Sequence, residues 1–218
     1  MATIADNLQA VRSRLEGRGA VTLLAVSKGH GAERIREAAA AGQKAFGENY
    51  VQEAVQKIEA LPLLEWHLIG PLQSNKTRAV AERFDWVQTL ASEKIARRLS
   101  EQRPAELPPL NVLIQVNVSG EASKSGVAPH EARGLATAIK ALPRLRLRGL
   151  MAMPEPGADR SRYSAARDLF EKLKGEFDLD TLSMGMSDDL ELALAEGSTL
   201  VRIGTAIFGQ RTRQKDAA

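Results

Sequence analysis

The chain contains no cysteine, which excludes a disulfide framework, a thiolate metal site and a cysteine nucleophile. Aromatic residues make up only 4% of its 218 residues and no basic stripe is interleaved with them, so the footprint of a nucleic-acid surface is missing. Charge of neither sign dominates: 30 Lys and Arg stand against 27 Asp and Glu, a net charge of +3. The two signs alternate along the helical stretches as on an ordinary solvated surface, and the slight basic excess leaves room for a small anionic ligand. No run approaches the ~18 consecutive apolar residues of a membrane span. Met1–Leu15, with Ile4, Leu8, Val11 and Leu15 separated by acids and arginines, has the pattern of an amphipathic helix rather than a signal peptide, so a cytoplasmic protein is expected.

What is present is a regular alternation. Short β-rich apolar runs recur at Thr22–Val26, Lys44–Gly47, Trp66–Ile69, Trp86–Leu90, Val112–Val118, Leu145–Met151, Thr181–Met184 and Leu200–Ile203. Helical stretches separate them, such as Glu33–Ala41 ended by Gly42, Val51–Leu61 stopped by Pro62 and Glu131–Leu142 stopped by Pro143. Strand–helix alternation predicts a parallel sheet with helical crossovers. It can close as an open doubly wound sheet or as a barrel. Eight βα units in this length fit the barrel better, and no Gly-x-Gly-x-x-Gly follows the first strand, which counts against a dinucleotide fold. The expected architecture is a single (β/α)₈ TIM-type barrel over residues 1–218, preceded by an extra N-terminal helix within residues 1–18. Pro104–Pro109, Ser119–Pro129 and Pro154–Asp159 read as connections, and Arg211–Ala218 as a frayed tail.

In such a barrel the working residues sit where strands end and βα loops begin. Those positions hold Ser27 and Lys28, Glu48 and Asn49, Gly70, Asn117, Met153, Ser187, and Gly204 with Thr205. Lys28 directly follows Leu23–Val26, so its stem starts in the barrel wall and its amine emerges at the rim. Partial desolvation there would lower its pKa and free it to attack an aldehyde; the plainer alternative is a lysine that snorkels to water. Ser187, Arg202, Gly204 and Thr205 fall on the last two strands and their loops, where barrels commonly grip phosphate with backbone N–H groups, although each element alone also reads as a helix cap or a packing glycine. Ser187-Asp188-Asp189 reads as a helix start. Its two adjacent acids diverge on a helix and do not make a metal site. His67, within a strand, reads as a hydrogen-bonded core residue, and Met151, Met153, Met184 and Met186 as adaptable packing at the mouth.

Five segments, in order, resemble a known family: Leu24-Ala25-Val26-Ser27-Lys28, Phe46-Gly47-Glu48-Asn49-Tyr50-Val51-Gln52-Glu53, Trp66-His67-Leu68-Ile69-Gly70-Pro71-Leu72-Gln73-Ser74-Asn75-Lys76, Ser183-Met184-Gly185-Met186-Ser187-Asp188-Asp189 and Arg202-Ile203-Gly204-Thr205-Ala206-Ile207-Phe208-Gly209. Together they are similar to the YggS/PROSC family of pyridoxal phosphate homeostasis proteins, over nearly the whole chain. The resemblance implies a barrel like the N-terminal domain of bacterial alanine racemase, of the fold-type III pyridoxal phosphate group, with the cofactor as an imine on Lys28. It further implies that Ser187, Gly204 and Thr205 contact the phosphate, that Asn49 lies beside the cofactor, and that Arg202 approaches either the ring nitrogen or the phosphate. One departure is visible. The family usually continues after the lysine with Thr and then Pro two positions later, whereas Gly29, His30 and Gly31 follow here, and a looser loop is expected.

A racemase of this type would take a second base, a tyrosine, from a separate β-domain. The eight units already occupy Thr22–Phe208, and neither Tyr50 nor Tyr163 sits in a matching context. A cofactor-free aldolase would explain the lysine and the phosphate cup equally. The expected function is a monomeric carrier that holds pyridoxal phosphate and hands it to apo-enzymes, with an amino-acid racemase and a Schiff-base aldolase as alternatives. No catalytic residue, metal, nucleic-acid or membrane partner is expected.

Overall fold

A computed structural model describes residues 2–120 and 125–210. Eight parallel strands close into one barrel in sequence order. Helix α1 (Ile4–Leu15) opens the chain, capped by Thr3, whose hydroxyl accepts the Asp6 N–H while the Asp6 carboxylate accepts the Thr3 N–H. Strand β1 (Thr22–Val26) then begins the barrel, followed by α2 (Ala32–Ala40), β2 (Ala45–Glu48), α3 (Val51–Ala60) and β3 (Glu65–Leu68). The middle runs through α4 (Thr77–Arg83), β4 (Trp86–Leu90), α5 (Glu93–Gln102), β5 (Leu110–Val116), α6 (Ala132–Lys140) and β6 (Leu145–Ala152). The long α7 (Arg160–Phe177), β7 (Thr181–Ser183), the short α8 (Leu190–Ala195), β8 (Leu200–Ile203) and the single turn α9 (Thr205–Phe208) complete it.

The strands are nearly continuous apolar runs because helices cover their outer faces while side chains fill the interior. Val112–Val116 is buried throughout, as are Leu200–Ile203. Closure comes from β1 pairing with β8, Thr22 opposite Leu200 through Ala25 opposite Ile203. The open-sheet alternative is thereby set aside, because an open sheet leaves two edges and this one leaves none. Helix α1 buries Ile4, Leu8 and Val11, and its Asn7 amide donates to the Ile207 carbonyl (2.9 Å), tying the first helix to the last.

Element ends differ from the sequence expectation by one or two residues. Strand β2 runs on to Glu48, since its register continues to Glu48 opposite Leu68, and β5 begins at Leu110, opposite Leu145. Hydrogen-bond partners set these limits, and they lie far away in sequence. The expected tail Arg211–Ala218 and residues 121–124 of the Ser119–Pro129 connection lie outside the described residues. Among the described residues no helix is long and apolar enough to cross a membrane.

Candidate cofactor site at the C-terminal mouth of the barrel

The strands' C-terminal ends surround a cavity of about 790 Å³, within the size range of small-molecule sites. Lys28, Asn49, Ser187, Arg202, Gly204 and Thr205 all line it. Residues up to 177 positions apart are thus brought to one mouth because parallel strands all point their ends the same way. Met151, Met153 and Met186 also line it, while Met184 is in the core. Asn117 does not line the cavity; its side-chain oxygen accepts the N–H groups of Ser119 and Gly120, which shapes the loop after β5.

The peptide that carries Lys28 is held on both sides. Before it, the Ser27 N–H donates to the Gly47 carbonyl (3.0 Å) and the Ser27 carbonyl accepts from the Lys57 ammonium (2.9 Å). After it, Gly29 takes φ 75° and its N–H donates to Glu53 Oε1 (2.6 Å). Left-handed backbone at this turn suits glycine. The Lys57 ammonium also donates to Glu53 (2.7 Å) and to the fully buried Glu48 (2.6 Å), and Glu48 accepts the Ser27 hydroxyl (2.6 Å). Burial pushes the Glu48 carboxyl up, against the pull of Lys57 and Ser27. The His30 N–H donates to the Ser27 carbonyl, and its ring stacks on Phe208 at 5.0 Å. The expectation of a looser loop is therefore corrected: three side chains and one ring pin Gly29 and its neighbours. Glu53 and Lys57 were not among the candidate residues. Their signal was an acid and a lysine four apart on α3, directly behind Glu48, but that spacing alone reads as a surface helix pair.

On the strand that pairs with the one carrying Lys28, Gly204 opens the turn α9, whose first N–H groups, those of Thr205 and Ala206, have no partner within so short a helix. A side chain on Gly204 would place its Cβ 3.2 Å from the Val26 carbonyl oxygen, so the close approach of β1 and β8 needs glycine there. The far end of the turn is fixed by Asn7 on Ile207 and by Arg34, which donates to the Phe208 carbonyl (2.7 Å). Ser187 lies in the turn before α8 and does not cap it. Helix α8 starts at Leu190 with Asp189 as its N-cap, and the Asp189 carboxylate instead accepts the Met186 N–H (2.5 Å) and the Tyr163 hydroxyl (2.6 Å). The helix start expected at Ser187 is displaced by two residues to Asp189, whose carboxylate is taken by Tyr163 from α7 and by the Met186 N–H and makes no side-chain cap of its own.

Arg202 points into the barrel from β8 and is 5% exposed. Its guanidinium donates to Ser183 Oγ (2.6 Å) and to the Ala152 carbonyl (3.1 Å). Burial pulls it down to about 10, with Asp189 acting in the other direction. One mouth therefore offers an amine, a cup of small residues with spare N–H groups, and a buried cation. That donor set fits a molecule that combines an aldehyde, a flat ring and a phosphate.

A family described as the N-terminal domain of alanine racemase matches residues 1–212. A pyridoxal phosphate homeostasis protein of Pseudomonas aeruginosa is 58% identical, over 97% of this chain and 97% of its own length. The chain belongs to the pyridoxal phosphate homeostasis proteins. Among solved structures, PipY of Synechococcus elongatus with pyridoxal phosphate bound is 39% identical at a TM-score of 0.85, covering 95% of this chain and all of PipY. Alanine racemase of Corynebacterium glutamicum, 19% identical at a TM-score of 0.77, shares the barrel alone, and the match covers 62% of the racemase. The family's barrel and the five sequence segments thus coincide, and those segments carry Lys28, Asn49, Ser187, Arg202, Gly204 and Thr205.

Proposed function

We propose that this chain holds pyridoxal 5′-phosphate at the mouth of its barrel and so buffers a reactive aldehyde, passing it to enzymes that need it. The observation that carries this reading is the convergence of Lys28, Arg202 and the Ser187, Gly204, Thr205 cup on one cavity. Lys28 is the anchor: its amine would hold the aldehyde carbon in a reversible covalent link, with water as the leaving group. The N–H groups of Thr205 and Ala206, with the hydroxyls of Thr205 and Ser187, take the phosphate. Of the two roles open to Arg202, the ring is favoured over the phosphate: its guanidinium is tied to Ser183 and Ala152 at the ends of β7 and β6, inside the wall, whereas the cup lies in the loops above. A permanent cation at the ring nitrogen disfavours a second positive charge there and makes the ring a poor electron sink. Asn49 borders the ring.

A racemase or aldolase reading finds less support in the geometry. Tyr163 is buried against Asp189 and pushed far up by burial, and Tyr50 is 65% exposed; neither lines the cavity. A cytoplasmic location accords with supplying newly made enzymes. The deciding experiment adds pyridoxal phosphate to the purified protein, reduces with borohydride and maps the modified peptide. Yellow colour and a mass increase on Lys28 are expected; modification at another lysine, or no colour, overturns the assignment. Transfer to an apo-enzyme, followed by return of that enzyme's activity, tests delivery.

A further inference from the structure

Arg202 forms no ion pair among the described residues, although it is buried, and a buried cation without a counter-charge is costly. Its charge is instead met through a hydrogen-bonded chain that crosses the barrel interior. Arg202 Nη1 donates to Ser183 Oγ (2.6 Å), and the Ser183 hydroxyl donates to Gln88 Oε1 (2.7 Å). The Gln88 amide N–H then donates to His67 Nδ1 (2.9 Å), which leaves the proton of the ring on Nε2, donating to Glu65 Oε1 (2.7 Å). Guanidinium and amide nitrogens can only donate and a carboxylate can only accept, so the chain has one direction from cation to anion. Ser183, Gln88 and His67 have no exposed surface. His67 is held further by stacking on Trp86, ring centroids 5.0 Å apart. One end of the chain lines the cofactor cavity; the other, Glu65 with His67, lines a second cavity of about 670 Å³ at the opposite mouth.

We propose that Ser183, Gln88 and His67 are positioning residues for Arg202, a one-way chain that links its charge to Glu65 at the far mouth of the barrel. The proposal rests on the reading that Arg202 borders the cofactor ring. The cofactor's electronic state then responds to a carboxylate it never touches. Burial holds His67 neutral and the His67 bond holds Glu65 low, which matches this polarity. The other charged groups facing Glu65 and His67 are Asp85, ahead of β4, Arg148 from β6, and Arg12, Glu16 and Lys44 around the same cavity; those around Arg202 are Asp189, with Lys28 and Asp188 on the cofactor cavity.

Glu65→Gln keeps an acceptor for His67 and removes only the charge, at a side chain 46% exposed. Gln88→Met cuts the chain with an unbranched side chain of similar length. With pyridoxal phosphate bound, the pH midpoint of the visible chromophore is expected to fall in Glu65→Gln by on the order of half a unit, because the unbalanced cation repels a protonated link. Gln88→Met is expected to shift it the same way by more, and both variants to keep the parent's circular dichroism. In the cofactor-free protein, nitrogen NMR is expected to show His67 protonated at Nε2 and bare at Nδ1. Coincident titrations for the parent and both variants, or a proton on Nδ1, overturn the proposal. A parent that forms no chromophore overturns the functional reading instead, and the His67 tautomer then decides the chain by itself.

Discussion

Lys57 and Glu48 form a 2.6 Å ion pair inside the barrel wall, and the same ammonium grips the Ser27 carbonyl next to Lys28. The lysine that carries the proposed chemistry is thus positioned by a second lysine that never reaches the cavity. Removing one partner of a buried pair strands the other charge, at about 3–5 kcal/mol. Lys57→Met is therefore expected to lose about that much stability in urea unfolding and to release bound cofactor faster. Glu48→Gln with Lys57→Met is expected to recover most of the stability but not the slow release, since the Ser27 carbonyl still lacks the Lys57 ammonium. Equal stability of the single and double variants would refute the pairing argument.

Lys28 itself is only partly buried and its loop is held by other groups. Lys28→Ala is expected to change stability by less than about 0.5–1 kcal/mol. It is expected to abolish the yellow chromophore while leaving weak, phosphate-dependent binding of the vitamer, read by equilibrium dialysis.

The phosphate cup separates into hydroxyls and backbone. A hydrogen bond to a charged group contributes about 1.5–3 kcal/mol, so Ser187→Ala and Thr205→Val are each expected to weaken binding by roughly 10-fold or more. Inorganic phosphate is expected to compete with the cofactor in the parent and less well in either variant. Competition unchanged by both substitutions would place the phosphate elsewhere.

His67 is buried and its imidazole lies below the usual value of 6.5, because desolvation opposes the charged form. Below that value the unfolded chain takes a proton that the folded chain refuses, so stability rises with pH across the window between the depressed folded value and 6.5. The slope is at most ~1.4 kcal/mol per pH unit. His67→Gln is expected to remove this acid-side slope in thermal unfolding scans, the difference between variant and parent isolating the one imidazole.

Much of the site was legible from residue order. Lys28, Asn49, Gly204 and Thr205 stand directly after apolar strand segments, and in a parallel barrel that position alone carries a residue to the mouth. Lys57, Glu53, Gln88 and Ser183 were not legible as parts of the site. Lys57 and Glu53 look like a solvent pair on α3, and Gln88 and Ser183 look like scattered polar residues in strands, because their partners lie on other strands. Ser187 lines the cavity as expected, yet it does not cap α8, which starts two residues later with Asp189 as its N-cap.

The amino-acid order by itself determined the alternation of strands and helices, the side of the barrel on which chemistry gathers, and the resemblance that points to a vitamin B6 phosphate. Those properties follow from local periodicity and from where apolar runs stop. The closure of β1 on β8, the clamp behind Lys28 and the chain from Arg202 to Glu65 were decided only by the tertiary structure. Each depends on which groups meet across the barrel, and a buried polar atom chooses its partner by distance in space, for which spacing along the chain is no guide.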